Sequence, residues 1–210
     1  MKNASQAEAS PLSTRTRARA KPGERRLQIL QALAVMLEQP AAERITTAAL
    51  AAQLQVSEAA LYRHFASKAQ MFEGLIEFIE QSVFSLVTQI TQRDEAASAQ
   101  AYKLVAMLMQ FGEKNPGMVR VMAGDALVFE NERLQQRMNQ FFDKFEAALR
   151  QCLRAGAEAE ASATPTVDAQ VAATTLTAFA MGRLQRFARS GFKRPPTEHL
   201  DAALRRILHI

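Results

Sequence analysis

Cysteine is almost absent: the 210 residues hold one, Cys152. A lone thiol forms no internal disulfide, which points to an intracellular chain. On its own helix face Cys152 reads as a small apolar residue. There is no tryptophan, and eight glycines and seven prolines are too few for a turn-rich β protein. No apolar run approaches the ~18 residues that a membrane-spanning helix needs. The longest strongly apolar stretch is Leu104–Met109. The first 21 residues lack the apolar block of a secretory signal. The histidines, His64, His199 and His209, are not paired at metal-ligand spacing. A Gly-rich phosphate loop and a Cys/His nucleophile pair are also missing. An enzyme, a metal centre and a bound cofactor are therefore not expected.

What is present is helix-forming sequence with a basic start. Hydrophobic residues make up 48% and charged residues 22%, enough to build a core. The net charge is +5, and residues 1–26 alone carry seven basic and two acidic side chains, so the rest is neutral overall. A basic arm on a neutral body suits a phosphate-bearing partner. Residues 1–23 read as a disordered arm, with phosphate contacts expected from Arg15 to Arg26.

Apolar residues then recur at helical spacing. Leu27, Leu30, Leu33, Ala34 and Leu37 mark a helix over 24–39, closed by Pro40. Thr46 or Thr47 caps a short helix to Leu54, Gln55-Val56 turn the chain, and Ser57 caps a second helix to His64. Ser67 and Gln70 form a capping box that opens a long helix to Gln92, with Phe72, Leu75, Ile76, Ile79, Val83, Leu86, Val87 and Ile90 as its stripe. Helices follow over 98–114, 118–129, 132–155 and 168–190, and a last one after Pro195-Pro196-Thr197. Asn115-Pro116-Gly117 breaks the chain and 156–165 reads as a linker. In 132–155, Leu134, Met138, Phe141, Phe145, Leu149 and Cys152 form one amphipathic seam. The small residues of 168–190 permit a tight helix–helix interface. The expected fold is all-α: a helix-turn-helix head over 24–67 and a larger helical body over 68–210.

Residues 46–65 carry the functional signal. A helix-turn-helix needs an apolar inner face, a tight turn, and a second helix with small or polar outward residues that enters the major groove. Leu50, Leu54, Val56, Leu61 and Phe65 supply the inner face. Ser57, Glu58, Ala59, Ala60, Tyr62, Arg63 and His64 are left for the groove or the phosphates.

The run Ile45–Lys68, above all Val56-Ser57, Leu61-Tyr62-Arg63-His64-Phe65 and Ser67-Lys68, resembles the TetR-family DNA-binding signature. The resemblance implies a dimer on a near-palindromic duplex site. It implies phosphate contacts from Tyr62, His64 and Lys68. Thr46, Thr47, Ser57, Glu58, Ala59, Ala60 and Arg63 complete the candidate DNA contacts, with base edges met from Ser57–Ala60 and Arg63. Two positions depart from the family pattern: Gln55 stands where glycine is usual in the turn, and Ala66 where proline is common. If position 55 needs a positive φ, Gln55 costs about 1 kcal/mol.

Further matches, at Met71-Phe72, Leu75–Glu80, Phe111–Gly117, Arg133–Gln135, Arg137–Gln140 and Phe192-Lys193, are similar to one subgroup of that family: DNA-bound inhibitors of bacterial cell division. That likeness implies association with the nucleoid in the cytoplasm. It also implies a second partner, the division protein FtsZ, bound between the fourth and fifth helices. Phe78, Lys114 and Asn115 are the candidates carried over, while Leu86 and Gln110 depart from the subgroup pattern. The rival readings are a ligand-responsive TetR repressor and a sequence-blind nucleoid-coating protein. An enclosed cavity lined by several polar groups would favour the repressor.

Overall fold

The computed structural model describes residues 22–39, 45–128 and 130–210; every described element is helical. The arm over 1–21 lies outside the described residues. Pro22 and Gly23, expected in the arm, already belong to the first helix, α1 (Pro22–Leu37). Proline at a helix start suits the fixed φ of that position. The buried face of α1 is Ile29, Leu33, Ala34 and Leu37; Leu27, expected inward, is exposed. The inward stripe thus starts at Ile29, two residues after the one assigned from spacing.

Two short helices follow, α2 (Thr47–Gln53) and α3 (Glu58–Tyr62). Thr46 Oγ1 accepts from the Ala49 amide at 3.1 Å and Ser57 Oγ from the Ala60 amide at 3.3 Å, so each helix has its side-chain cap. α3 ends earlier than expected, with Arg63 as its C-cap. The turn residue Gln55 has φ 55°, the left-handed conformation that glycine adopts most readily.

The fourth helix, α4 (Lys68–Thr91), is capped by Ser67 Oγ, which accepts from the Gln70 amide at 3.2 Å. The capping box is modified: the Gln70 side chain accepts from the Ala66 amide at 2.9 Å, one residue upstream of the usual position. The expected stripe is buried except for Leu86, which is exposed.

Then come α5 (Ala97–Lys114), α6 (Pro116–Met122), a single 3-10 turn (Asp125–Leu127) and α7 (Glu132–Ala159). The break at 115–117 is only a corner, because Pro116 starts α6 at once. Gly124, at φ 85°, follows the end of α6 well before the expected limit at 129. Glycine is required at 117 by packing: an added Cβ would lie 1.9 Å from the Ala34 carbonyl oxygen. α6 therefore presses directly on α1, which joins the body to the head.

α7 runs to Ala159, so much of the expected linker over 156–165 is helix or helix cap. α8 (Pro165–Arg189) returns antiparallel to it, tied by Gln170 and Thr174, which donate to Glu146 at 2.8 and 3.0 Å. α9 (Leu200–Leu208) is pinned to α5 by Tyr102 Oη, which donates to Asp201 at 2.9 Å. That bond favours protonated tyrosine and ionised aspartate, raising the first pKa and lowering the second.

The seam of α7 lies wholly in the core: Leu134, Met138, Phe141, Phe145, Leu149 and Cys152 are all buried. Phe141 meets Phe84 and Phe142 edge-on at 5.4 and 5.1 Å. Burial pushes the Cys152 thiol above its ordinary pKa, and it donates to the Ala97 carbonyl at 3.2 Å.

Candidate nucleic-acid interface

The reading unit is built from the bottom by Leu50, Ala51, Leu61 and Phe65, all buried in the core that α1 and α4 share. Leu54 and Val56 are half-buried at its edge. With that face fixed, the outer side of α3 is left to solvent. Ser57, Glu58, Ala59, Tyr62 and Arg63 are exposed, and Ala60 and His64 are partly so. Tyr62 is 45% exposed, a large aromatic that the core does not claim.

Several expected contacts are already engaged within the protein. Thr47 Oγ1 donates to Glu58 Oε2 at 2.6 Å, locking the start of α2 to the start of α3. Thr46 and Ser57 serve as caps, so their hydroxyls hold the helices in place. The His64 carbonyl accepts from the Arg26 guanidinium at 2.6 Å, and that guanidinium also lies 4.2 Å over the Phe65 ring. Arg26, expected in the phosphate-seeking arm, is instead a strut from α1 to the end of the reading unit.

Lys68 opens α4, where exposed backbone amides and the helix dipole favour anions. Its ammonium is paired with the Glu130 carboxylate, just before α7, and sits 5.6 Å over the Phe72 ring. Two further pairs continue along the seam between α4 and α7. Arg133 binds Glu73, and Arg137 binds Glu80 at 2.7 Å. The Glu80 carboxylate holds the Arg137 guanidinium further from deprotonation. Sequence reasoning missed this ladder, Glu130 included, and the role of Arg26 as a strut. Only the spacing of the charges hints at it: Arg133 and Arg137 share one helix face, as do Glu73 and Glu80.

The second expected site divides. Phe78 is 37% exposed and Leu86 38%, two turns apart on α4 and both facing outward. Lys114, in the last turn of α5, is exposed as well. Asn115 is half-buried, and its side-chain amide donates to the Phe111 carbonyl at 2.7 Å, so it closes α5. The interior is apolar: among the described residues the one buried polar side chain is Thr177.

Comparison with known proteins agrees with this geometry. Residues 29–75 match the model of bacterial regulatory proteins of the tetR family. Residues 97–208 match a tetracyclin repressor-like C-terminal domain of SlmA-like type. The chain is 48% identical over 178 residues to the nucleoid occlusion factor SlmA of Idiomarina loihiensis, covering 85% of this chain and 90% of that one. It is 50% identical over 178 residues to SlmA of Vibrio cholerae, covering 84% and 90%.

Solved structures share the fold at low identity. The regulator FadR from Bacillus subtilis, in complex with stearoyl-CoA, has a TM-score of 0.71 at 14% identity, over 87% of this chain and 97% of that one. The TetR-family regulator PfmR from Thermus thermophilus has a TM-score of 0.71 at 20% identity, with the same coverage. With its head matched by the regulator model and about half its residues identical to these relatives, the chain belongs to the TetR family and, within it, to the nucleoid occlusion factors.

Proposed function

We propose that this protein is a DNA-bound inhibitor of cell division, which pairs into a dimer on chromosomal DNA and interferes with FtsZ assembly over the nucleoid. The observation that carries the reading is the joint presence of an exposed reading helix and a chain about half-identical to nucleoid occlusion factors. In this reading the head over 24–67 grips a near-palindromic site. Tyr62, His64 and Lys68 hold phosphates, while Ser57–Ala60 and Arg63 approach base edges. Thr46 and Thr47 keep α2 in place against the backbone. The dimer forms through the side of α8 that shows Val167, Val171 and Met181 to solvent, backed by α7. Large apolar side chains exposed along one helix are the kind of surface that association covers.

The partner surface lies on the outer side of α4 and the end of α5. Phe78 and Leu86 supply an apolar track and Lys114 a cation on the next helix. Such a track suits a short, partly acidic segment of FtsZ. Asn115 shapes the corner through its bond to Phe111 and contacts the segment less directly. The scarcity of buried polar groups favours this reading over a ligand-responsive repressor.

The test is a charge reversal on the body. Lys114→Glu is expected to abolish co-sedimentation with FtsZ polymers while leaving DNA affinity within about twofold, since an exposed charge on a helix outside the reading unit acts on DNA only through screened solvent. FtsZ binding retained by the variant would remove Lys114 from the partner site.

A further inference from the structure

The outer side of α8 changes character along its length. Val167 and Val171 stand exposed near its start; Gln185 and Arg189, eighteen residues further on and so on the same face, follow with Arg186 in the last two turns. Beyond the helix the chain reverses sharply through two left-handed residues, Gly191 at φ 61° and Phe192 at φ 64°. A bulky residue in that region is strained, and here packing holds it: the Phe192 ring meets Phe187 edge-on at 5.2 Å. Ser190 Oγ then accepts from the Lys193 and Arg194 amides at 3.1 and 3.0 Å. This reversal places Lys193 and Arg194 beside Arg186 and Arg189, around one open depression. No carboxylate lines it, and all four cationic side chains are exposed. None of the four side chains makes a hydrogen bond or an ion pair among the described residues, although the Lys193 and Arg194 amides bond to Ser190.

The patch is on the end of the body that carries the head. Arg189 also borders a second depression, lined by Gly124, Asp125 and Val128 of the segment that follows α6. α6 packs on α1, and Glu130, two residues beyond Val128, grips Lys68 at the base of the reading unit. Pairing through α8 would bring two copies of the patch to the same end. An isologous contact sets a surface against its own copy. Cations facing cations repel, so this part of α8 calls for an anion rather than for a second copy of itself.

We propose that Arg186, Arg189, Lys193 and Arg194 form a second, sequence-independent DNA-phosphate site on the body, distinct from the helix-turn-helix. It rests on the DNA-binding reading and deepens it. The body then holds the duplex that the head reads, or a neighbouring stretch of the same chromosome. Four exposed guanidinium and ammonium groups without a planar acceptor suit a phosphate backbone, which carries charge in every direction around the helix.

The test is a salt titration of DNA binding by fluorescence anisotropy. It uses the full chain and a mixed-sequence duplex several helical turns long. Arg189→Ala with Lys193→Ala is expected to flatten the slope of log K against log salt by about 0.9 for each phosphate no longer neutralised. With two fewer phosphates neutralised, binding weakens about tenfold at about 0.3 M salt and more at lower salt. Arg189→Lys, which keeps the charge, should hold the wild-type slope. Should the double alanine variant lose helicity by circular dichroism, Arg186→Ala with Arg194→Ala replaces it with the same expectation. An unchanged slope and affinity in a folded variant overturns the proposal. So does an unchanged slope together with abolished binding to anionic lipid vesicles, which would assign the patch to a membrane. If the wild-type chain itself fails to bind any duplex, the underlying DNA reading falls, and with it the proposal.

Discussion

At the scale of single residues, two positions separate what holds the reading unit from what it offers to DNA. Gln55 occupies the left-handed turn conformation where the family pattern has glycine. Gln55→Gly relieves roughly 1–2 kcal/mol of backbone strain and returns part of it as extra chain entropy. The expected net gain is about 0.5–1 kcal/mol, read as a higher midpoint in thermal melting. A lower midpoint would show that the Gln55 side chain holds the turn by its contacts. Lys68 is the second position. Its ammonium is tied to Glu130, so on the proposed reading a DNA phosphate at Lys68 competes with that carboxylate. Glu130→Gln removes the competitor. DNA affinity should rise about threefold and the salt slope should steepen by about 0.9, the value for one more phosphate neutralised. A weaker complex would mean that Glu130 positions Lys68 for DNA and does not withhold it.

At the scale of elements, capping and periodicity make most helices legible in the amino-acid order itself. Ser57 and Ser67 mark two helix starts, and the α7 seam from Leu134 to Cys152 marks one long buried face. What spacing does not reveal depends on partners distant in sequence. Leu27 and Leu86 continue apolar stripes, yet no neighbouring helix covers them and each faces solvent. Pro116 reads as a breaker and is a helix start, because proline needs no amide partner in the first turn. Gly117 cannot be valued from sequence at all; its role is the close approach to the Ala34 carbonyl. Gly117→Ala forces α6 away from α1 and is expected to destabilise by about 1–3 kcal/mol, as overpacking does. Because α1 carries the head through Arg26 and Phe65, DNA affinity should fall along with the melting midpoint. An unaltered midpoint would show that the two helices separate without cost.

At the scale of the molecule, the head and the body are readable from sequence to different depths. The helix-turn-helix follows from a local pattern of about twenty residues, so its outward set is visible at once. Its engaged members are not: only the fold shows that the Thr47 and Lys68 side chains are already bonded, whereas His64 is held by its backbone carbonyl. The body shows its helices in sequence but not its surfaces. The outward Phe78, the cation at Lys114 and the basic end of α8 are set by how α4, α5 and α8 turn against α7. On the proposed reading these surfaces make one device: a head that reads DNA, a body that holds it, and an outer face on α4 and α5 that meets FtsZ. Co-sedimentation of this protein with FtsZ polymers, with and without duplex DNA, tests that device most directly. The protein should pellet with the polymers, and polymer mass should decline once DNA is bound. Polymers that neither carry the protein nor respond to it, with DNA present and bound, would contradict the division-inhibitor reading and leave a DNA-binding regulator alone.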